Sequence, residues 1–208
     1  MKLLAISSSP RKSGNSETLL QYCASTFDCN SENVDFVRLA DLQVSPCLGC
    51  EKCNQSGECV LKDDFAALFD KMISCDILLW ATPIYFMSVT AQAKIIIDRT
   101  QCAWVRRTIL NKPFSDRGEQ GKRRAAVLAV AAQRNKKGFG AVELMMNYCL
   151  PNLGLDYSDN LFVVGVDAKG AINDCDEAKK RSQALGQLLA EGKRYKKDER
   201  STIFVDCS

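Results

Sequence analysis

The sequence predicts an α/β fold in which a five-stranded parallel sheet carries helices on both faces. Five short apolar runs alternate along the 208-residue chain with segments whose apolar residues recur at helical spacing. Most of these runs are apolar throughout, which is typical of parallel strands buried on both faces. Hydrophobic residues make up 46% of the chain and charged residues 25%, an ordinary balance for a globular protein.

The elements follow one another in strict alternation. Leu19, Leu20 and Cys23 recur at helical spacing after the first apolar run, whereas residues 34–39 alternate like a strand and residues 125–132 are wholly apolar. The predicted strands cover residues 2–7, 34–39, 76–81, 125–132 and 161–166. The predicted helices cover residues 15–27, 64–73, 90–105, 142–153 and 177–191.

The chain reads as one domain over residues 1–192 followed by a tail over residues 193–208. Neither a repeat nor a linker interrupts the first part, and its length is ample for a single buried core. In the tail, basic residues lead into the strand-like run 201–205. We favour a frayed end, and pairing with a sheet edge or a neighbouring subunit is the alternative.

Composition excludes several classes of function. The net charge of +3 does not indicate nucleic-acid binding, and the absence of histidine removes histidine metal ligands and histidine-based triads. The sequence has no apolar run of the roughly 18 residues that a membrane helix needs, and no signal-peptide pattern at its start. We therefore expect a cytoplasmic protein with no membrane or nucleic-acid partner, whose eleven cysteines do not form disulfides.

The loop after the first strand, residues 7–16, has the composition of an anion site. Small hydroxyl residues and a glycine let backbone N–H groups converge at a helix N-terminus, where the helix dipole favours negative charge. Neither the Rossmann glycine pattern nor the P-loop ending is present, which favours a terminal monophosphate. The alternative is a polar surface loop that caps a helix. The candidate phosphate ligands are Ser9, Arg11, Asn15 and Ser16.

Four cysteines within thirteen residues form the most specific motif of the sequence. Their spacing, Cys-x2-Cys-x2-Cys-x5-Cys, can wrap a compact inorganic cluster, and iron–sulfur clusters are commonly held by four cysteine thiolates. Zinc sites more often use two cysteine pairs set well apart. Zinc, disulfides and a redox-sensing thiol loop remain alternatives to a [4Fe–4S] cluster. The candidate ligands are Cys47, Cys50, Cys53 and Cys59.

The segment 8–16, which reads SSPRKSGNS, resembles the first loop of the flavodoxin-like reductases, Gly-Ser-Pro-Arg-x-x-Gly-Asn-Ser/Thr, with Ser8 in place of the first glycine. The segment 81–88, ATPIYFMS, followed by Asp98-Arg99, matches the family's Pro-x-Tyr loop and later Asp-Arg pair. The resemblance implies a flavodoxin-like three-layer sandwich that binds FMN. It assigns the phosphate to the residues of the first loop named above, and the flavin ring to Pro83, Ile84, Tyr85, Phe86 and Met87.

Residues 131–138 depart from the family pattern, which has a glycine-rich third loop at this point. The cysteine motif, by contrast, is similar to that of the iron–sulfur flavoproteins within the same family. This resemblance implies a [4Fe–4S] cluster that passes electrons to FMN, with NAD(P)H or ferredoxin as donor, a small-molecule acceptor, and a homodimer or homotetramer. A cluster-free NAD(P)H-dependent FMN or quinone reductase, a non-enzymatic FMN electron carrier and a zinc-stabilised module are the alternatives.

Overall fold

A computed structural model of the chain describes residues 1–27, 33–115, 117–118, 121–193 and 201–207. The strands are β1 (Leu3–Ser7), β2 (Val34–Arg38), β3 (Ile77–Pro83), β4 (Arg117–Gly118), β5 (Gly121–Lys122), β6 (Arg124–Val130), β7 (Asp156–Val164) and β8 (Ser201–Asp206). The helices are α1 (Asn15–Ala24), α2 (Cys53–Ser56), α3 (Phe65–Ser74), α4 (Ala91–Arg99), α5 (Gln101–Thr108), α6 (Lys137–Asn152) and α7 (Asp176–Ala190). Two short 3₁₀ helices lie at Leu39–Asp41 and Ala171–Asp174.

Six parallel strands form one sheet in the order β2-β1-β3-β6-β7-β8. The chain moves from β1 outward to β2 and then returns to the other side of β1 with β3, so the strand order reverses between these neighbours. In open α/β sheets, ligands bind beyond the carboxyl ends of the strands at such a switch point. The topology therefore places the loops that follow β1 and β3 side by side.

The two faces of the sheet carry separate apolar cores. Leu3 and Ala5 of β1 pack with α1 and α7, whereas Leu4 and Ile6 pack with the helices of the opposite face, which include α3, α4, α5 and α6. Consecutive strand residues thus point into different cores, and this explains the runs of consecutive apolar residues in the central strands β1, β3 and β6. The parallel sheet with helices on both faces is confirmed, and the fold is flavodoxin-like.

The helix predicted over residues 90–105 is two helices. Chain direction changes at Thr100, whose hydroxyl donates to the carbonyl of Ile97 at 2.6 Å and whose backbone lies at φ −69° and ψ 1°. The break lets α5 turn toward the cysteine segment and pack against α2.

The prediction of five strands is wrong, because the tail contributes a sixth. Strand β8 pairs in parallel with β7 over Ser201 to Asp206, so the frayed-end interpretation is wrong and sheet-edge pairing is correct. The first half of β7 is polar yet buried, which is why its prediction began too late, at residue 161. Tail hydroxyls satisfy these groups: Ser201 donates to Asp159 at 2.7 Å, and Asn160 donates to Thr202 at 2.9 Å.

A disulfide joins Cys175, at the start of α7, to Cys207, just after β8. The expectation that the cysteines form no disulfides is wrong for this pair. Their separation of 32 residues gives no sign of proximity in the sequence, and it is the pairing of β8 with β7 that brings them together. The bridge therefore ties the tail strand to the helix layer.

None of the helices in the described ranges is both long enough and apolar enough to cross a membrane.

We predict that Cys207→Ser lowers the free energy of unfolding by about 2–4 kcal/mol under oxidising conditions, because the disulfide no longer restricts the unfolded chain. Urea denaturation with and without dithiothreitol measures this effect. In dithiothreitol the variant and the wild type should unfold alike, since both then lack the bridge. Equal stability without reductant would contradict a formed disulfide.

Candidate functional site

The loops after β1 and β3 are fastened to each other at the carboxyl edge of the sheet. Ser7 pairs with Ala81 in the register of the two strands, and the backbone N–H and hydroxyl of Ser8 both donate to the carbonyl of Ala81, at 2.9 and 2.7 Å. Thr90, the N-cap of α4, donates from its hydroxyl to the carbonyl of Ser8 at 2.8 Å. These bonds give the two loops one rigid frame.

The first loop, residues 7–16, folds into a cradle at the N-terminus of α1. The Ser9 hydroxyl accepts from the backbone N–H of Arg11 at 3.1 Å, and Gly14 follows so closely that a Cβ there would lie 2.9 Å from that oxygen. Ser16 lies in the first turn of α1 with its hydroxyl buried and, within the described residues, without a hydrogen-bond partner. A buried donor at a helix N-terminus fits the terminal phosphate of a cofactor.

The other two predicted phosphate ligands are placed differently. Arg11 is exposed at the rim of the loop, where its charge can reach a phosphate. Asn15 uses both ends of its side chain on the loop after β7: it donates to the carbonyl of Ala168 at 2.9 Å and accepts from the N–H of Gly170 at 2.9 Å. Asn15 therefore anchors a neighbouring loop in this structure.

Glu17 supports the cradle from below and was missed by the sequence analysis. Its buried carboxylate accepts from the hydroxyl of Ser7 and the N–H of Ser13, both at 3.0 Å, and pairs with Arg38 at 2.8 Å. The hydrogen bond and charge of Glu17 raise the pKa of Arg38, against the lowering effect of burial. Ser13 is held at φ 54°, a left-handed conformation that the bond to Glu17 stabilises.

The second loop presents aromatic side chains beside the cradle. Pro83 ends β3, and the N–H of Ile84 donates to the carbonyl of Val130 at 2.8 Å, which continues the sheet by one bond. Residues 85–88 then form a tight turn with Phe86 and Met87 at positive φ, 45° and 64°. Phe86 is fully exposed and Tyr85 is partly exposed, so the turn offers flat apolar faces to a planar ring.

The loop over residues 131–138 joins the same edge of the sheet. At Gly138 a Cβ would lie 2.8 Å from Ile84 Cγ2 and 3.2 Å from the Cα of Met87. The start of α6 therefore packs directly on the turn of the second loop, although its sequence departs from the family's glycine-rich pattern.

The four cysteines of the motif line one cavity of about 680 Å³. Helix α2 begins at Cys53 and is capped at its C-terminus by Gly57, where φ is 73° and a Cβ would lie 2.5 Å from Arg106 Cγ. The chain therefore turns back tightly toward Cys59. The side of the cavity that faces α4 and α5 is lined by Arg99, Cys102 and Trp104.

The motif sulfur atoms are close enough to affect one another. Burial raises the pKa of Cys53, and the charges of Cys47, Cys50 and Cys59 raise it further. Burial, with the charges of Cys59 and Cys53, also raises the pKa of Cys102 to about 12.

The four motif thiols are free, and the donor set suits a cluster with four thiolate ligands. Across the described part of the chain, however, no group of three or more Cys, Asp, Glu or His side chains is arranged as a ready metal site.

A buried ion pair fixes the cysteine segment to α4. Arg99 donates to both carboxylate oxygens of Asp63, at 2.9 and 3.2 Å, and to the carbonyl of Ser45 at 2.8 Å. Its guanidinium lies 4.4 Å from the ring centre of Phe65. The two ends of the segment that carries the motif are thus held by one side chain.

Three cysteines outside the motif, Cys23, Cys75 and Cys149, are buried in the cores. Burial raises the pKa of each, to about 11 for Cys75 and for Cys149, which keeps them as unreactive thiols. Cys29 lies outside the described residues.

The strand order and the helices on both faces define a flavodoxin-like α/β protein, a class of fold in which ligands bind at the switch point of the sheet. The family model for NADPH-dependent FMN reductase matches residues 1–165. The chain therefore belongs to the NADPH-dependent FMN reductase family and is an FMN-dependent oxidoreductase.

Relatives and solved structures agree with this assignment. An iron-sulfur flavoprotein of Methanocaldococcus jannaschii is 29% identical over 197 residues, 92% of this chain and 96% of that protein. An iron-sulfur flavoprotein of Methanosarcina thermophila is 31% identical over 135 residues, 65% of each chain. The solved NAD(P)H:quinone oxidoreductase of Methanothermobacter marburgensis shares the fold with a TM-score of 0.63 and 15% identity, covering 91% of this chain and 96% of that one.

We predict that Asp63 makes the stability of the protein sensitive to acid. Burial alone would raise the pKa of Asp63, but hydrogen bonds from Arg99 and from the N–H groups of Ser45 and Phe65 outweigh it and lower the pKa below its ordinary value of 3.8. A lowered pKa stabilises the fold above pH 3.8, and the stabilisation is lost as the pH falls through the folded value. Asp63→Asn should abolish this loss of stability at low pH. It should also lower the free energy of unfolding by about 3 kcal/mol at neutral pH.

Urea unfolding at a series of pH values between 2 and 7 measures the effect. Asp64→Asn is the matched control, since Asp64 accepts from the N–H of Gln43 at 2.7 Å and its carboxylate is exposed. If the free energy of unfolding of Asp63→Asn fell at low pH as steeply as that of the wild type, the prediction would be wrong.

Proposed function

We propose that the chain is an FMN-dependent reductase that also holds a [4Fe–4S] cluster in the cysteine cavity and exchanges electrons between the two. The observation that carries the proposal is the placement of four free cysteines, Cys47, Cys50, Cys53 and Cys59, on one cavity. The naming of two relatives as iron-sulfur flavoproteins supports it.

The FMN phosphate would occupy the cradle at the N-terminus of α1. The buried hydroxyl of Ser16 would donate to a phosphate oxygen, Arg11 would supply charge from the rim, and Ser9 would keep the loop in shape through its bond to the N–H of Arg11. Asn15 would act through the loop at residues 168–172 that it anchors.

The isoalloxazine would lie along the second loop. The Pro83–Met87 segment combines a stiff strand end with the exposed side chains of Tyr85 and Phe86, which would cover one face of the ring and exclude water from it. Bound FMN can take up electrons singly or in pairs, so it can join a one-electron donor to a two-electron reaction.

The four cysteines would bind the cluster as thiolates, one at each iron corner, and a bound cluster supplies one-electron transfer. We further propose NAD(P)H or ferredoxin as the donor, a small molecule such as a quinone as the acceptor, a cytoplasmic location, and a homodimer or homotetramer. The sequence resemblance supports these assignments.

A cluster-free NAD(P)H-dependent FMN or quinone reductase is the second candidate. The observation that favours it is that the cysteines, although they share a cavity, are not arranged as a metal site in the described residues. In that case the cavity would be an ordinary hollow lined by thiols, and the flavin site would function without it.

Absorption spectra with iron, sulfide and FMN analysis of anaerobically purified protein distinguish the candidates. We expect flavin bands with about four irons per chain, the content of a four-cysteine cubane site. Flavin without iron after anaerobic reconstitution would establish the second candidate. Absence of both would contradict the proposal as a whole.

We predict that Ser16→Ala weakens FMN binding by about 10- to 100-fold, since a hydrogen bond to a charged group contributes about 1.5–3 kcal/mol. Fluorescence titration of apoprotein with FMN measures the dissociation constant. Ser25→Ala, beyond the other end of α1, is the control, because the Ser25 hydroxyl donates to the carbonyl of Tyr22 away from the cradle. Equal affinities would mean that Ser16 does not contact the phosphate.

A further inference from the structure

Arg99 is a charged side chain held rigidly in the wall of the cysteine cavity. Its side chain is 0% exposed, and both terminal nitrogens of the guanidinium donate to Asp63, while one of them also donates to the carbonyl of Ser45. The ring of Phe65 covers one face of the group at 4.4 Å. The position of this positive charge is therefore fixed by packing on several sides.

One donor of Arg99 is left over. Among the described residues its buried Nε has no hydrogen-bond partner, which is a costly arrangement for a guanidinium N–H. Arg99 and the four motif cysteines line the same cavity, and the charges of Cys59 and Asp63 raise the pKa of Arg99 against the lowering effect of burial. A buried donor that lacks a strong partner, beside a thiol, points to an acceptor supplied by a ligand of the cavity.

We propose that Arg99 is a positioning residue that supplies a fixed positive charge and a hydrogen bond to the Cys59 side of the cluster and thereby raises the reduction potential of the cluster. The inference rests on the proposed function, since it needs a cluster in the cavity.

The direction follows from charge. Reduction of the cluster adds one electron and hence one negative charge, and a buried cation nearby stabilises the reduced form more than the oxidised form. Hydrogen bonds to the sulfur atoms, net charge and solvent exposure are the terms that set such potentials. Asp63 offsets part of the charge of Arg99, so the carboxylate acts in the opposite direction.

The two charges allow a test with opposite signs. Arg99→Gln removes the cation, and we expect the ratio of reduced to oxidised cluster at a fixed potential to fall at least tenfold, a downward shift of about 59 mV for one electron. Asp63→Asn removes the offsetting anion and should shift the potential upward. Arg99→Lys keeps the charge but loses the Nε donor, and should fall between wild type and Arg99→Gln.

The potential is measured on full-length protein, reconstituted anaerobically, by redox titration with electron paramagnetic resonance detection of the reduced cluster. Lys94→Gln is the matched control, because Lys94 is a cation of the same helix with its side chain 52% exposed and paired with Asp98. Solvent screens its charge, so its removal should leave the potential unchanged. Iron, sulfide and FMN contents verify that each variant is folded and loaded.

The outcomes separate the two proposals. Wild-type protein without a cluster would overturn the proposed cluster and this inference together. A loaded Arg99→Gln with the wild-type potential would overturn the inference and leave the cluster in place. If Arg99→Gln does not fold, the reduction potential of Asp63→Asn decides. An upward shift of that potential supports the inference, and an unchanged or lower potential overturns it.

Discussion

The parallel pairing of β1 with β3 is the constraint on which the site depends. It sets Ser7 opposite Ala81, and the loop that leaves each strand is then bonded to the other through Ser8 and Thr90. Both loops need this frame, because neither the small hydroxyl residues of the first loop nor the four-residue turn of the second loop fixes its own conformation. Glu17 and Gly138 complete the frame: Glu17 supports the cradle, and Gly138 packs against the aromatic turn.

The cysteine cavity depends on a different kind of constraint, a single buried cation. The segment from β2 to α3 has little regular structure, with a short 3₁₀ helix and one four-residue helix. Arg99 replaces the missing regular structure by binding Ser45 before the motif and Asp63 after it. Helices α4 and α5 therefore form one wall of the cavity, and the cysteine segment lies against them. The cavity can therefore stay formed while its thiols remain free to adjust to a ligand.

The parts of the fold that sequence patterns predict are those determined by local chemistry. Wholly apolar runs such as residues 125–132 predict the central strands correctly, and residues 7–16 do form the predicted loop before α1. The anion site predicted for that loop stays a prediction. The start of β7 was missed because the buried polar residues Asp159 and Asn160 resemble loop residues until their partners Ser201 and Thr202 are known. The strand-like run 201–205 was interpreted as a frayed end because its pairing with β7 is a contact distant in sequence. The bond of Asn15 to residues 168–170, the disulfide of Cys175 and the partners of Arg99 depend on contacts distant in sequence, which no local pattern reveals.

The added strand also determines which groups of the sheet meet other molecules. Strand β8, rather than β7, forms the outer border of the sheet, and it is short, carries Asp206 at its end and is joined to α7 by the disulfide of Cys207. A chain that stopped before Ser201 would leave the nine residues of β7 as an open border with unpaired backbone groups and uncovered carboxamide and carboxylate side chains. Such a border is a template for pairing with further chains. Strand β8 thus covers the backbone groups of β7 that would otherwise form such a border.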